Sequence, residues 1–234
     1  MRQEKNWMTS LADFHPASQE RDDRFSGVRE MRRRLVRAAV ALPLAGPMLA
    51  AGQGRRDSAY VSTLQRGHCV VLIRHAQTVS GIGDPPGMRL DDCSSQRDLS
   101  EEGRAQSRRL GQWFRQHGLT PSRVRSSQWC RCLNTAKEAF SEKNFGTMLP
   151  VEPWTALNSF FQGQGNREAQ LAEATEAARL ITGRKSDGQF EVWITHQVTV
   201  SALTGHWPSM GEMLVAAYDS PGRPFKILAS GLAF

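Results

Sequence analysis

Val70-Val71-Leu72-Ile73-Arg74-His75-Ala76-Gln77-Thr78 is the stretch that decides the fold. Its four consecutive aliphatic residues read as a strand covered on both faces, the kind a parallel sheet buries. The strand ends in Arg74-His75, so it delivers a cation and an imidazole to one sheet edge, where open α/β sheets keep their sites. Small and turn-forming residues follow, Gly81-Ile82-Gly83-Asp84-Pro85-Pro86-Gly87, and these read as a loop.

Two further segments supply matching parts. Val124-Arg125-Ser126-Ser127 reads as a short strand running into a helix over Gln128-Trp129-Cys130-Arg131-Cys132-Leu133-Asn134-Thr135-Ala136, with Arg131 in its first turn. Phe190-Glu191-Val192-Trp193-Ile194-Thr195 is another buried strand, ending at His196 before a helical Val198-to-Leu203 segment. Two arginines and two histidines gathered at one edge describe a phosphate pocket, because planar guanidinium groups match phosphoryl oxygens two at a time.

The chain from about residue 68 to its end resembles the histidine phosphatase superfamily, the phosphoglycerate mutase-like proteins. The matching pieces are Arg74-His75-Ala76-Gln77-Thr78, Leu99-Ser100-Glu101-Glu102-Gly103-Arg104-Ala105-Gln106, Ser126-Ser127 with Arg131 and Thr135-Ala136, and Thr195-His196-Gln197. The resemblance implies a three-layer α/β/α sandwich with a mostly parallel central sheet. It also implies His75 as the nucleophile that becomes phosphohistidine, with Arg74, Arg131 and His196 around the phosphoryl group. Phosphoryl transfer needs positioning and charge stabilisation, so no metal or cofactor is expected where cations already surround the oxygens. His75 must be uncharged to attack, and neighbouring arginines disfavour its imidazolium.

The departure from the family concerns the general acid. Many mutase-like members place a Glu shortly after a Leu between the second Arg and the second His, whereas Leu157 here precedes Asn158-Ser159. Gln197 likewise stands where another branch has an Asp after the second His. Asp84, Asp91 and Asp92 in the loop after His75, or Glu168 at the start of an Ala-rich helix, are the candidate substitutes. The expected function is an exported phosphatase acting on phosphomonoesters. A phosphoglycerate-type phosphotransferase and a non-catalytic phosphate-binding module are the alternatives.

Composition fits one catalytic domain behind a leader. Residues 55–234 suffice for one core of ordinary size. The formal charge is +7, and residues 1–54 hold nine Lys/Arg against six Asp/Glu, so +3 of it lies in the leader. The basic residues are dispersed without aromatic interleaving, which argues against nucleic acid and for a small phosphorylated substrate. Met31-Arg32-Arg33-Arg34-Leu35-Val36-Arg37 followed by the apolar run Ala38 to Ala51 reads as an export signal, with translation starting near Met31 and cleavage near 50–54. The run is too short to span a membrane, and its paired arginines resemble a twin-arginine signal for the export machinery. Periplasmic or secreted localisation follows.

Four cysteines accord with export. Cys69 sits inside the first strand as a buried apolar residue. Cys93 is expected to pair with Cys130 or Cys132 and so pin the loop beside the pocket; a zinc site lacks a fourth ligand. Ser100 reads as the N-cap of a helix whose Leu110, Trp113, Phe114 and His117 recur at helical spacing up to Gly118. Glu168 to Ile181 reads as a second helix, with Leu171, Ala174, Ala178 and Ile181 on one face and Gly183 as its stop. Glu212 to Ala217 and Phe225 to Ser230 read as a closing hairpin.

Overall fold

The computed structural model describes residues 57–81, 83–184 and 188–234, so the expected leader and export signal lie outside the described residues. Six strands form one sheet in the order β3-β2-β4-β1-β5-β6: β1 Cys69–Arg74, β2 Arg123–Ser126, β3 Val151–Pro153, β4 Phe190–Thr195, β5 Glu212–Ala217 and β6 Lys226–Ala233. The pairs β1/β4, β4/β2 and β2/β3 are parallel, while β5 and β6 close the sheet as an antiparallel hairpin.

The helices are α1 over 57–66, α2 Glu101–Gln116, α3 Cys130–Ala139, α4 Glu142–Phe145, α5 Arg167–Thr182 and α6 Gln197–Thr204. Alternation along β1 assigns its two faces. Cys69, Val71 and Ile73 pack in one core with Phe114 of α2 and Ala136 of α3, whereas Val70 and Leu72 pack in a second with Ala174 of α5 and Val200 of α6. Both faces of the strand are therefore covered, which is why it shows no polar alternation. The result is the three-layer α/β/α arrangement.

Local chemistry agrees with this frame. Ser100 caps α2 by accepting from the Gly103 N–H, with Glu101 and Glu102 in the positive first turn. Asn166 caps α5. The buried side of α5 carries Gln170, Ala174, Ala178 and Ile181, with Leu171 only partly covered, so a polar Gln170 takes a place that periodicity gave to Leu171. Among the described residues no helix is long and apolar enough to cross a membrane.

Register and close packing together place the site. Arg74 pairs with Thr195 and Ser126 with Ile194, so His75, His196 and Ser127 leave three adjacent strands at one level. The helix α2 is pressed against the loop after His75. A Cβ on Gly103 would stand 1.9 Å from the Gln77 carbonyl oxygen, and the Gln77 N–H donates to Gln106 Oε1 at 2.9 Å. The Gly103-x-x-Gln106 spacing is thus a clamp on the active loop.

Gly111 plays the same part between helices: a Cβ there would meet the Ala139 carbonyl oxygen at 1.9 Å. Gly111→Ala is expected to lower stability by about 1–3 kcal/mol through forced separation of α2 from the end of α3. A fall in the urea midpoint at unchanged m-value checks this.

Candidate active site

His75 follows the buried end of β1, with its N–H donating to the Thr195 carbonyl at 2.9 Å. The side chain is 5% exposed, and Nδ1 lies 2.9 Å from the Ala76 carbonyl oxygen. A carbonyl only accepts, so Nδ1 carries the hydrogen and Nε2 keeps the free lone pair. Burial, then the Arg131 charge, push the imidazole down to about 3, with Arg74 and Arg97 adding to the effect and the Ala76 bond opposing it. The ring is neutral, with one nitrogen committed and the other keeping its lone pair.

Three guanidinium groups surround it. Arg74 donates through Nη1 to the Pro208 carbonyl at 2.9 Å, and its pKa is lowered by burial and by the charges of Arg97 and Arg131. Arg131 lies over the Trp129 ring at 4.3 Å and grips Asp84 from Nη1 at 3.0 and 3.1 Å. Arg97, which sequence reading left unassigned, sits on the same loop as Asp84. Its backbone N–H donates to Asp84 Oδ1 at 3.0 Å, and its Nη1 donates to the Gly81 carbonyl at 3.1 Å. The Nε–H of all three arginines is buried without a partner. Unsatisfied donors of this kind are costly, and a phosphoryl dianion supplies what they lack.

His196 stands beside His75, with ring centroids 5.5 Å apart. Burial first, then the His75 and arginine charges, lower its pKa well below the usual histidine value. Its Nε2 lies 2.9 Å from Ser127 Oγ. That hydroxyl donates to Asn158 Oδ1 at 3.0 Å, while the Gln128 N–H donates to the same oxygen at 2.8 Å and Asn158 Nδ2 donates to Gln128 Oε1 at 2.9 Å. The amide orientation is therefore fixed, Ser127 has its one proton committed, and His196 donates from Nε2. Ser127 and Asn158 had no role assigned from sequence. The Ser126-Ser127 and Leu157-Asn158 motifs marked their places, but not their hydrogen bonds to each other.

The four candidate carboxylates separate clearly. Asp84 reaches the pocket through Arg131. Asp91 lies on the surface paired with Arg89, Asp92 caps a short turn by accepting from Ser94, and Glu168 is exposed in the first turn of α5, 3.9 Å from Arg167. These three do not join the site, because each is held at the surface, two on the loop after His75 and one in the first turn of α5. Of the two pairings open to Cys93, the structure shows Cys93–Cys130, which ties the Asp84 and Arg97 loop to the start of α3. Gln96 reinforces the tie, accepting from the Cys130 N–H at 3.0 Å and donating to the Arg89 carbonyl at 2.8 Å. Cys69 and Cys132 are buried free thiols, each pushed up to about 12 by burial.

A family model described as the histidine phosphatase superfamily (branch 1) matches residues 70–190, more than half of the chain. The protein belongs to the histidine phosphatase superfamily. Solved structures with a similar fold include the protein histidine phosphatase SixA complexed with tungstate, 17% identical over 68% of this chain and 93% of that one, TM-score 0.47. A mycobacterial glucosyl-3-phosphoglycerate phosphatase is 18% identical over 69% and 97%, TM-score 0.45, and an open reading frame product of Mycobacterium tuberculosis is 17% identical over 71% and 98%, TM-score 0.48. No curated protein sequence matches the chain.

The buried neutral His75 sets a pH dependence. Its folded pKa, about 3, is below the ordinary 6.5. The unfolded chain therefore binds a proton that the folded one refuses, and this contribution destabilises the fold progressively as pH falls from about 6.5 toward 3. Chemical denaturation across that range is expected to show the loss of stability, and His75→Asn to reduce its slope, the remainder coming from His196, which burial and neighbouring charges also disfavour as the imidazolium.

Proposed function

We propose that this protein is an exported, metal-independent phosphatase that hydrolyses phosphomonoesters through a phosphohistidine on His75. The observation that carries the reading is the Nδ1–H bond to the Ala76 carbonyl, which leaves Nε2 bare among Arg74, Arg97 and Arg131. In the first step Nε2 forms a bond to phosphorus as the ester P–O bond breaks, and the leaving oxygen takes a proton. In the second step water attacks phosphorus, the P–N bond breaks, inorganic phosphate leaves, and the proton of the attacking water passes to a base. The three guanidinium groups hold the equatorial oxygens through both steps, and the neutral His196 packs beside the His75 ring. Asp84 is the carboxylate we assign to proton exchange: in ion-paired form it accepts the water proton, and once protonated it supplies the leaving oxygen.

Export is supported by the arginine-rich segment before the apolar run at 38–51, and by the Cys93–Cys130 disulfide, which an oxidising compartment preserves. A small phosphorylated substrate suits a site walled by the loop that carries Asp84 and Arg97, and the twin-arginine machinery suits the leader.

The test is hydrolysis of p-nitrophenyl phosphate by the full chain, with a chelator and no added metal, from about pH 5 to 8. We expect turnover that His75→Ala lowers by about a thousandfold or more in a folded protein, and a ³²P label that stays on the wild-type chain in alkali and leaves it in acid. Full activity in His75→Ala, or turnover that the chelator removes, overturns the reading.

A further inference from the structure

Glu212 is a buried residue, 7% exposed, that no step of the proposed reaction uses. It opens β5, where its backbone pairs with Ala233 of β6, so the sheet sets its position. Its side chain reaches back over the turn that precedes it. Oε1 accepts from His206 Nε2 at 2.8 Å and Oε2 accepts from the Ser209 N–H at 2.8 Å, while the Glu212 N–H donates to the Ser209 carbonyl at 3.1 Å. A carboxylate only accepts, so Nε2 of His206 carries the hydrogen. The turn's other end is fixed at the close of α6, where the His206 N–H donates to Thr204 Oγ1 at 3.1 Å.

Between these holds the turn meets the phosphoryl site. The Pro208 carbonyl accepts from Arg74 Nη1 at 2.9 Å, and the Gly211 N–H donates to the Arg74 and His75 carbonyls at 3.2 and 3.1 Å. Pro208 has no N–H of its own with which to anchor itself. Glu212 grips the chain on both sides of it, at His206 and at Ser209. A guanidinium is planar, so holding Nη1 fixes the plane and leaves the edge formed by Nε and Nη2 as the fork that meets a phosphoryl group. The Nε–H on that edge is buried without a protein partner.

We propose that Glu212 is a positioning residue for Arg74: by holding His206 and Ser209 it places the Pro208 carbonyl, and through that carbonyl it aims the guanidinium at the phosphoryl oxygens. The inference rests on the phosphate pocket of the phosphatase reading and adds the group that orients one of its cations.

The test is a double-mutant cycle on orthovanadate affinity, measured by calorimetry on the full chain. Glu212→Ala is expected to weaken binding about tenfold in the otherwise native chain, and to have no further effect in an Arg74→Ala background. His206→Ala removes one of the two holds and leaves the Ser209 bond, so its loss should be about threefold, again only while Arg74 is present; it carries the test where Glu212→Ala does not fold. A loss of equal size with and without Arg74 is what a carboxylate serving stability alone would give, and it overturns the assignment. So does an affinity that neither variant changes. The expected pattern in a chain that hydrolyses no ester overturns the phosphatase reading and leaves the assignment standing, whereas a folded wild type that binds no vanadate overturns both.

Discussion

Everything at this site depends on keeping one imidazole uncharged and aimed while cations crowd it. A protonated His75 would have no lone pair for phosphorus, and a ring free to rotate would offer the wrong nitrogen. The Ala76 carbonyl fixes the tautomer and the orientation in one bond, and burial together with Arg131, Arg74 and Arg97 makes the charged form unfavourable. The carbonyl that does this belongs to the loop immediately after β1. The loop's exit is set in turn by the clamp from Gly103 and Gln106, and by Thr135 Oγ1 accepting from the Ala76 N–H at 3.1 Å. The Leu99-to-Gln106 motif, remote from the chemistry in sequence, serves the tautomer of His75.

The same crowding of positive charge is a liability that the fold answers asymmetrically. Arg74 is satisfied in part by the Pro208 carbonyl, and Arg131 by Asp84 and the face of Trp129. Each nevertheless retains a buried Nε–H without a partner, as does Arg97. A scaffold optimised for stability alone would have paired these donors or replaced them. Leaving them unpaired costs the resting protein free energy and preorganises the pocket for a dianion, so little reorganisation remains when one arrives. The Cys93–Cys130 link belongs to this logic, since it holds the loop that brings Arg97 and Asp84 to the start of α3.

What the sequence made legible was whatever a short segment fixes by itself. The aliphatic run before Arg74-His75 announced a doubly covered strand, Ser100 announced a helix start, and the two runs Glu212 to Ala217 and Phe225 to Ser230 announced the hairpin. What stayed hidden depends on partners far along the chain. Arg97 looks like any loop arginine until the disulfide and Asp84 carry it to the pocket. Asp91 and Asp92 are equal to Asp84 by composition, and only the path of the loop separates them. Ser127 and Asn158 are 31 residues apart and their relation exists only once β2 and the turn after β3 lie side by side. Gln170 was misjudged for a related reason: helical period marks a face, but not which polar residue on its border is drawn in by two backbone carbonyls.

Asn158 ties these threads together. A carboxylate at this position would place an anion within one hydroxyl of His196 and favour its imidazolium. The amide accepts the same bonds from Ser127 and Gln128 without bringing charge, so His196 stays neutral and keeps its Nε2–H directed at Ser127. Its nitrogen also donates to Gln128 Oε1, which a carboxylate cannot do. An amide on this wall therefore holds Ser127 and the Gln128 backbone in place while adding no charge beside His196 and the arginines of the phosphate pocket.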